Sequence, residues 1–75
     1  MEDDKINPVY RVIYESGTYG IFGKENTTGK TVLIKQISCD EKTVLKIAGV
    51  LNKNKVSVFH ARDVIFDYIT AFLYR

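Results

Sequence analysis

His60, Asp63 and Asp67 are the residues whose types and spacing could do chemistry. On a helix the i, i+3, i+7 spacing puts an imidazole and two carboxylates on one side. Together they would make a weak divalent-cation site or a general acid/base pair. A plainer reading competes with this one. His60 and Asp63 follow Ser57, a good helix N-cap, and fall in the first turns of a helix. There, acids suit the dipole and polar side chains satisfy free amides. Asp67 could pair loosely with Arg62 or with a lysine of the sheet. One helix also supplies only part of a metal shell. The expectation is therefore capping and local hydrogen bonding, with no catalytic residue and no metal ligand assigned.

Three other stretches imitate chemistry. Gly23 to Thr31 echoes a phosphate loop, but five residues separate its glycines where four are needed, and a strand pattern follows where a helix should begin. Cys39 sits near a helix start, yet it is the only cysteine, and no neighbouring motif supports redox or nucleophilic work. Gly17 to Phe22 (GTYGIF) echoes an RNA-recognition strand, in which Tyr19 or Phe22 on an open sheet face would stack on bases. The element order around it does not suit that fold. No cofactor is expected.

The chain has 75 residues, enough for one domain with a thin core. A single cysteine allows no internal disulfide, so packing must supply the stability, with self-association as a supplement. The net charge is +2. Residues 1–7 carry −2 and the remainder +4, a mild balance that does not demand nucleic acid. The acidic start has no apolar run behind it, and no apolar stretch nears the ~20 residues a membrane span requires. These features predict a cytoplasmic protein with Cys39 reduced and no membrane association. Residues 1–7 are expected to be a flexible tail and 8–75 a single domain.

The elements that must position these residues follow from periodicity. Strands are predicted at about 9–16, 18–25 and 30–37, joined by turns at Ser16-Gly17 and Glu25–Gly29. Gly20 and Gly23 suggest a bulge or a close contact. Helices are predicted at about 39–52 and 58–74. Ser38 and Glu41 would form a capping box for the first, and Asn52 or Asn54 would close it in a left-handed conformation. Gly49, in the interior of that helix, suggests either a close approach or mere tolerance of its cost. The short loops predict an antiparallel meander, and thus an α+β domain of order β-β-β-α-α. Its two helices would form a hairpin on one sheet face. The expected core is Val44, Ile47, Leu51, Val64, Ile65, Tyr68, Ile69 and Phe72.

The stretch Leu51 to Ile69 resembles a family of short, uncharacterised bacterial proteins, found largely in Clostridium-like Firmicutes and classed as a domain of unknown function. The resemblance lies in a pattern close to N-x-N-x-V-S-x-x-H-x-x-D-V-I-x-D-Y. Here it is carried by Asn52, Asn54, Val56, Ser57, His60, Asp63, Val64, Ile65, Asp67 and Tyr68. Tyr19-Gly20-Ile21 and Ile37-Ser38 are similar to upstream signatures. The chain departs from the pattern at Ala48, Val58 and Phe66. The resemblance supports the fold and brings no activity with it.

Function is sought in apolar surface left over. Two helices can cover one face of a three-stranded sheet. The other face would hold Val9 and Ile13, with Phe22, Leu33 and Ile37 beside them, while Phe66 and Tyr74 add apolar surface to the last helix. A monomer rarely leaves such a patch unused. Ile13, Phe22, Leu33, Phe66 and Asp67 are accordingly the candidate interaction surface of a non-enzymatic module. It would bind itself or another protein as a regulatory module. A small nucleic-acid-binding protein using lysines and sheet aromatics is the alternative.

Overall fold

A computed structural model describes residues 8–73, with side chains from Pro8 to Ala71; the expected tail at 1–7 and Tyr74 lie outside the described residues. Three strands, β1 (Val9–Glu15), β2 (Thr18–Lys24) and β3 (Thr31–Ser38), precede two helices, α1 (Glu41–Lys53) and α2 (Val58–Leu73). The sheet is an antiparallel meander of order β1-β2-β3, so the predicted β-β-β-α-α fold is present. Ser16 and Gly17 turn the first hairpin with positive φ at both positions, as a two-residue turn matched to strand twist requires.

The helices cover the face that carries Tyr10, Val12, Ile21 and Ile34. Tyr10 and Ile21 join Val44, Ile47, Ala48, Leu51, Val58, Ala61 and Ile65 in the buried core. Val64, Tyr68 and Ile69 pack on its margin, partly exposed; the Phe72 side chain lies outside those described. Residues at odd positions of β1, even positions of β2 and odd positions of β3 up to Lys35 form the opposite face, since side chains alternate along a strand.

Both strand glycines have the close neighbours the sequence suggested. A Cβ at Gly23 would run into the Tyr10 ring, and one at Gly20 would collide with the Ile34 carbonyl oxygen. The Gly20 contact belongs to a β-bulge. Tyr19 pairs with Ser38 and Ile21 with Ile34, so β3 spends four steps where β2 spends two. Gln36, at φ 58°, takes up the excess. The bulge corrects one expectation: Ile37 does not join Leu33 on the open face but packs against the core.

The helix ends also differ from the sequence reading. Asp40, not Ser38, caps α1: its carboxylate accepts from the Lys42 amide at 3.3 Å and the Thr43 hydroxyl at 2.8 Å. Ser38 finishes β3 and accepts from the Asp40 amide. At the other end Lys55, not an asparagine, is left-handed, at φ 51°. The Lys55 amide bonds the Asn52 carbonyl and the Val56 amide the Leu51 carbonyl, a Schellman closure. Gly49 is exposed and an added Cβ would meet nothing, so no close approach explains it.

Candidate functional site

The α1–α2 turn is fastened to the sheet by a network of polar side chains. Asn52, on the last turn of α1, accepts from the Tyr10 amide at 2.8 Å and donates to the Tyr10 carbonyl at 2.9 Å. Its amide thus occupies one position of the β1 edge as a neighbouring strand would. The Tyr10 hydroxyl donates to the Val56 carbonyl. Ser57 caps α2 as expected, accepting from the Phe59 amide at 3.2 Å.

A second cap comes from the sheet. Glu25, at the start of the β2–β3 loop, accepts at one carboxylate oxygen from the Ser57 hydroxyl at 2.9 Å and the Val58 amide at 3.2 Å. Its other oxygen accepts from the Thr28 hydroxyl at 3.0 Å. The Ser57 and Thr28 hydrogen bonds hold its carboxyl below the usual glutamate range, helped by the Val58 amide and nearby Lys30 against partial desolvation. Burial, then the charge of Glu25, pushes the Tyr10 hydroxyl up to about 12. The network is closed and holds its own groups in place. It aims no free nucleophile or base at a cavity.

His60, Asp63 and Asp67 lie on the exposed side of α2. Their side chains make no hydrogen bond or ion pair among the described residues, so the expected capping role is corrected: Ser57 and Glu25 do that work. Among the described residues no group of three His, Cys, Asp or Glu side chains is arranged to hold a metal ion. Cys39 is exposed in the bend before α1.

The predicted interaction residues divide between two surfaces. Ile13, Phe22 and Leu33 share the sheet face that no described element covers, with Val9 beside them; Val9 is 54% and Leu33 46% exposed. Arg11, Phe22 and Leu33 form one row across the three strands. Next to that row a small cavity of about 120 Å³ opens over Gly20, walled by Ile13 and bounded by a Glu15–Lys35 ion pair at 3.3 Å. Phe66 and Asp67 are instead on α2. Phe66 is exposed one turn-pair from Phe59, both at 65%, and the Lys30 ammonium stands 5.7 Å from the Phe59 ring. Tyr19 is not on the open face. It packs on the helix side against Tyr14, ring centroids 4.8 Å apart. Desolvation, Glu41 and Tyr14 raise its hydroxyl pKa.

Sequence reasoning missed Tyr10, Asn52 and Glu25. Asn52 was read for its backbone and not its amide. Nothing local in the sequence joins Glu25 to a helix start 32 residues away. It also missed a groove of about 250 Å³ between β3 and α2, floored by Ile34, Ile37, Ile65 and Ile69.

The fold and surfaces together define a small two-layer α+β domain with an uncovered apolar sheet face and a closed structural polar network. The chain belongs to a family of unknown function, DUF6514, which it matches over residues 1–71. No curated protein and no solved structure matches it. No helix among the described residues is long and apolar enough to cross a membrane.

Proposed function

We propose that the protein is a non-enzymatic interaction module that self-associates through its open sheet face. The observation that carries this is the sheet face shared by Val9, Ile13, Phe22 and Leu33, which no described element covers. The face is also self-complementary in kind. It bears a ridge, Phe22 and Leu33, beside a hollow over Gly20. A two-fold axis would let the ridge of each copy enter the hollow of the other, burying the same patch on both. Its charges are of both signs, with Arg11, Lys24 and Lys35 against Glu15. The Tyr10–Asn52–Glu25 network engages its polar groups with one another and with the backbone, which favours a structural over a catalytic role for them. A cytoplasmic setting, a Clostridium-like Firmicutes origin and the pattern from Asn52 to Tyr68 belong to the same proposal.

The size of the face sets the strength. Three strands ~4.8 Å apart and ~23 Å long present an area on the order of 330 Å². Stable complexes bury about 800 Å² per partner, so the dimer is weak. Sedimentation equilibrium should show a mass rising toward twice the monomer in the range of tens to hundreds of micromolar. Leu33→Glu and Phe22→Glu should each hold the chain monomeric with an unchanged circular dichroism spectrum. A wild-type mass that stays monomeric at millimolar concentration refutes the reading.

One observation favours nucleic acid as a second reading. Phe22 shares its face with Arg11, Lys24 and Lys35, an aromatic among cations. Fluorescence anisotropy with single-stranded RNA at low salt tests it. Binding that weakens steeply with salt and is lost in Phe22→Ala supports it, and no binding at ~20 mM salt ends it.

A further inference from the structure

The two edges of the sheet differ at one position. At β1 the Asn52 amide occupies the outward N–H and C=O of Tyr10, while those of Val12 and Tyr14 have no bonded partner among the described residues. At β3 no described group takes even one such position. The Glu25 amide bonds the Lys30 carbonyl at 2.9 Å, which fixes the phase of the β2–β3 ladder. By the alternation of an antiparallel pair, the amides and carbonyls of Thr31 and Leu33 then point away from β2. Among the described residues nothing bonds them.

The groove between β3 and α2 begins at Ile34, the residue after Leu33 along β3. Its floor is aliphatic and Phe66 forms its outer wall. The charged residues lining it are Lys35 and Arg62, and no acid lines it. Arg62 is exposed and makes no ion pair among the described residues, whereas Lys35 is shared with Glu15.

We propose that the β3 edge and this groove receive an extended segment of a partner protein, apolar at alternate positions and acidic near them, as a fourth strand. Main-chain bonds to Thr31 and Leu33 would set the register, and alternate side chains would drop onto Ile34, Ile37, Ile65 and Ile69. Carboxylates on the segment would meet Arg62 and Lys35. The bulge at Gln36 limits the pairing to a short stretch, so the groove, not the ladder, carries specificity. Charge argues against a second copy here. Edge-to-edge pairing would set Lys35 and Arg62 of one groove against the same residues of the other, much as edge lysines block self-pairing. An acidic partner removes that penalty. This surface is separate from the open sheet face and does not require dimerisation.

The test is two-dimensional NMR titration of the full chain with a blocked synthetic peptide of about ten residues alternating valine and glutamate. The same peptide with lysine for glutamate is the control. The expected result is saturable binding in which the Thr31 and Leu33 amides shift and exchange slowly and the Ile37 and Ile69 methyl groups move. The lysine peptide should bind at least tenfold more weakly, and Arg62→Glu should reverse that preference. Since Arg62 is exposed, its reversal leaves the core intact. No binding at millimolar peptide, shifts confined to Phe22 and Ile13, or an unchanged preference in Arg62→Glu overturns the proposal. So does concentration-dependent protection of Thr31 and Leu33 without peptide, which would assign the edge to a second copy.

Discussion

The side-chain amide of Asn52 is bonded to the backbone of Tyr10 at both ends, as acceptor at 2.8 Å and donor at 2.9 Å. One side chain thereby joins the C-terminal turn of α1 to the first strand, 42 residues away, and occupies one position of that sheet edge. Each bond contributes about 0.5–1.5 kcal/mol net. Asn52→Ala should therefore destabilise the fold by about 1–3 kcal/mol. Asn52→Asp should cost at least as much, because it sets a carboxylate against the Tyr10 carbonyl. Urea unfolding checks this: the midpoint should fall at unchanged m-value. A midpoint equal to wild type in both variants would show that the edge clamp contributes nothing.

Tyr10 supplies an alkaline signature. Its hydroxyl, donating to the Val56 carbonyl beneath the turn, is held at about 12 against 10 in the unfolded chain. The folded value is the higher, so the protonated hydroxyl stabilises the native state fully below pH 10. That contribution falls as pH rises from 10 through 12, because the unfolded chain releases the proton first. Guanidinium unfolding of wild type between pH 9 and 12 should show this loss. Tyr10→Phe should be less stable at pH 9 and show a smaller decline, since only that hydroxyl is removed. Parallel curves for the two proteins would refute the assignment.

How far the sequence carries is clear from these two residues. Tyr10 lies on the helix-covered face of β1, as alternation along the strand requires, but nothing local marks its hydroxyl as a tie to the α1–α2 turn. The strands, the helices and the helical core positions Val44, Ile47, Leu51 and Ile65 follow from periods of 2 and 3.6, which depend only on neighbours in the chain. Ile13, Phe22 and Leu33 were assigned together by the same rule and do share an open face. Ile37 was misplaced because a bulge changes parity in the middle of a strand. The only local hint was Gly20, on the partner strand. The polar network was not legible, because Asn52 and Glu25 act at separations of 42 and 32 residues. Asparagine and glutamate have good local readings too, as a helix stop and a loop residue. His60 and Asp63 drew attention by spacing, yet it is Glu25 that takes over the capping expected of them.

Glu25 supplies an acid signature of opposite sense. Its carboxyl is held below the ordinary glutamate value by Ser57 and Thr28. A depressed folded value means that the stabilisation is complete above the unfolded value and is lost as pH falls through the folded one. Glu25→Gln should lower Tm at pH 7, by on the order of 5 °C, the scale for losing one helix cap in a small domain. The gap between variant and wild type should close on acidification. Ser57→Ala should lose most of the same contribution, so the double variant should fall short of the sum of the two. A gap independent of pH between 7 and 2, measured by thermal circular dichroism, would contradict the cap.

Two positions in α1 and its exit carry backbone choices that run against local preference. Gly49 lies in the helix interior with open space where a Cβ would be, and Lys55 holds the left-handed position of the Schellman closure. Gly49→Ala should stabilise by up to about 1 kcal/mol by restricting the unfolded chain. Lys55→Gly should stabilise by about 1 kcal/mol by removing a Cβ from a conformation it disfavours. The two sites share no side-chain contact, so the gains should add to within about 0.5 kcal/mol. Gly20→Ala is the counterpart. Its Cβ would strike the Ile34 carbonyl oxygen, which belongs to the bulge backbone and cannot rotate aside. That variant should lose on the order of 1–3 kcal/mol or more. It should also disturb the hollow on the open face, whereas the two α1 variants should not. Chemical denaturation of all three separates the cases. A stabilised Gly20→Ala would mean that the bulge is not fixed by the close approach of β2 to β3.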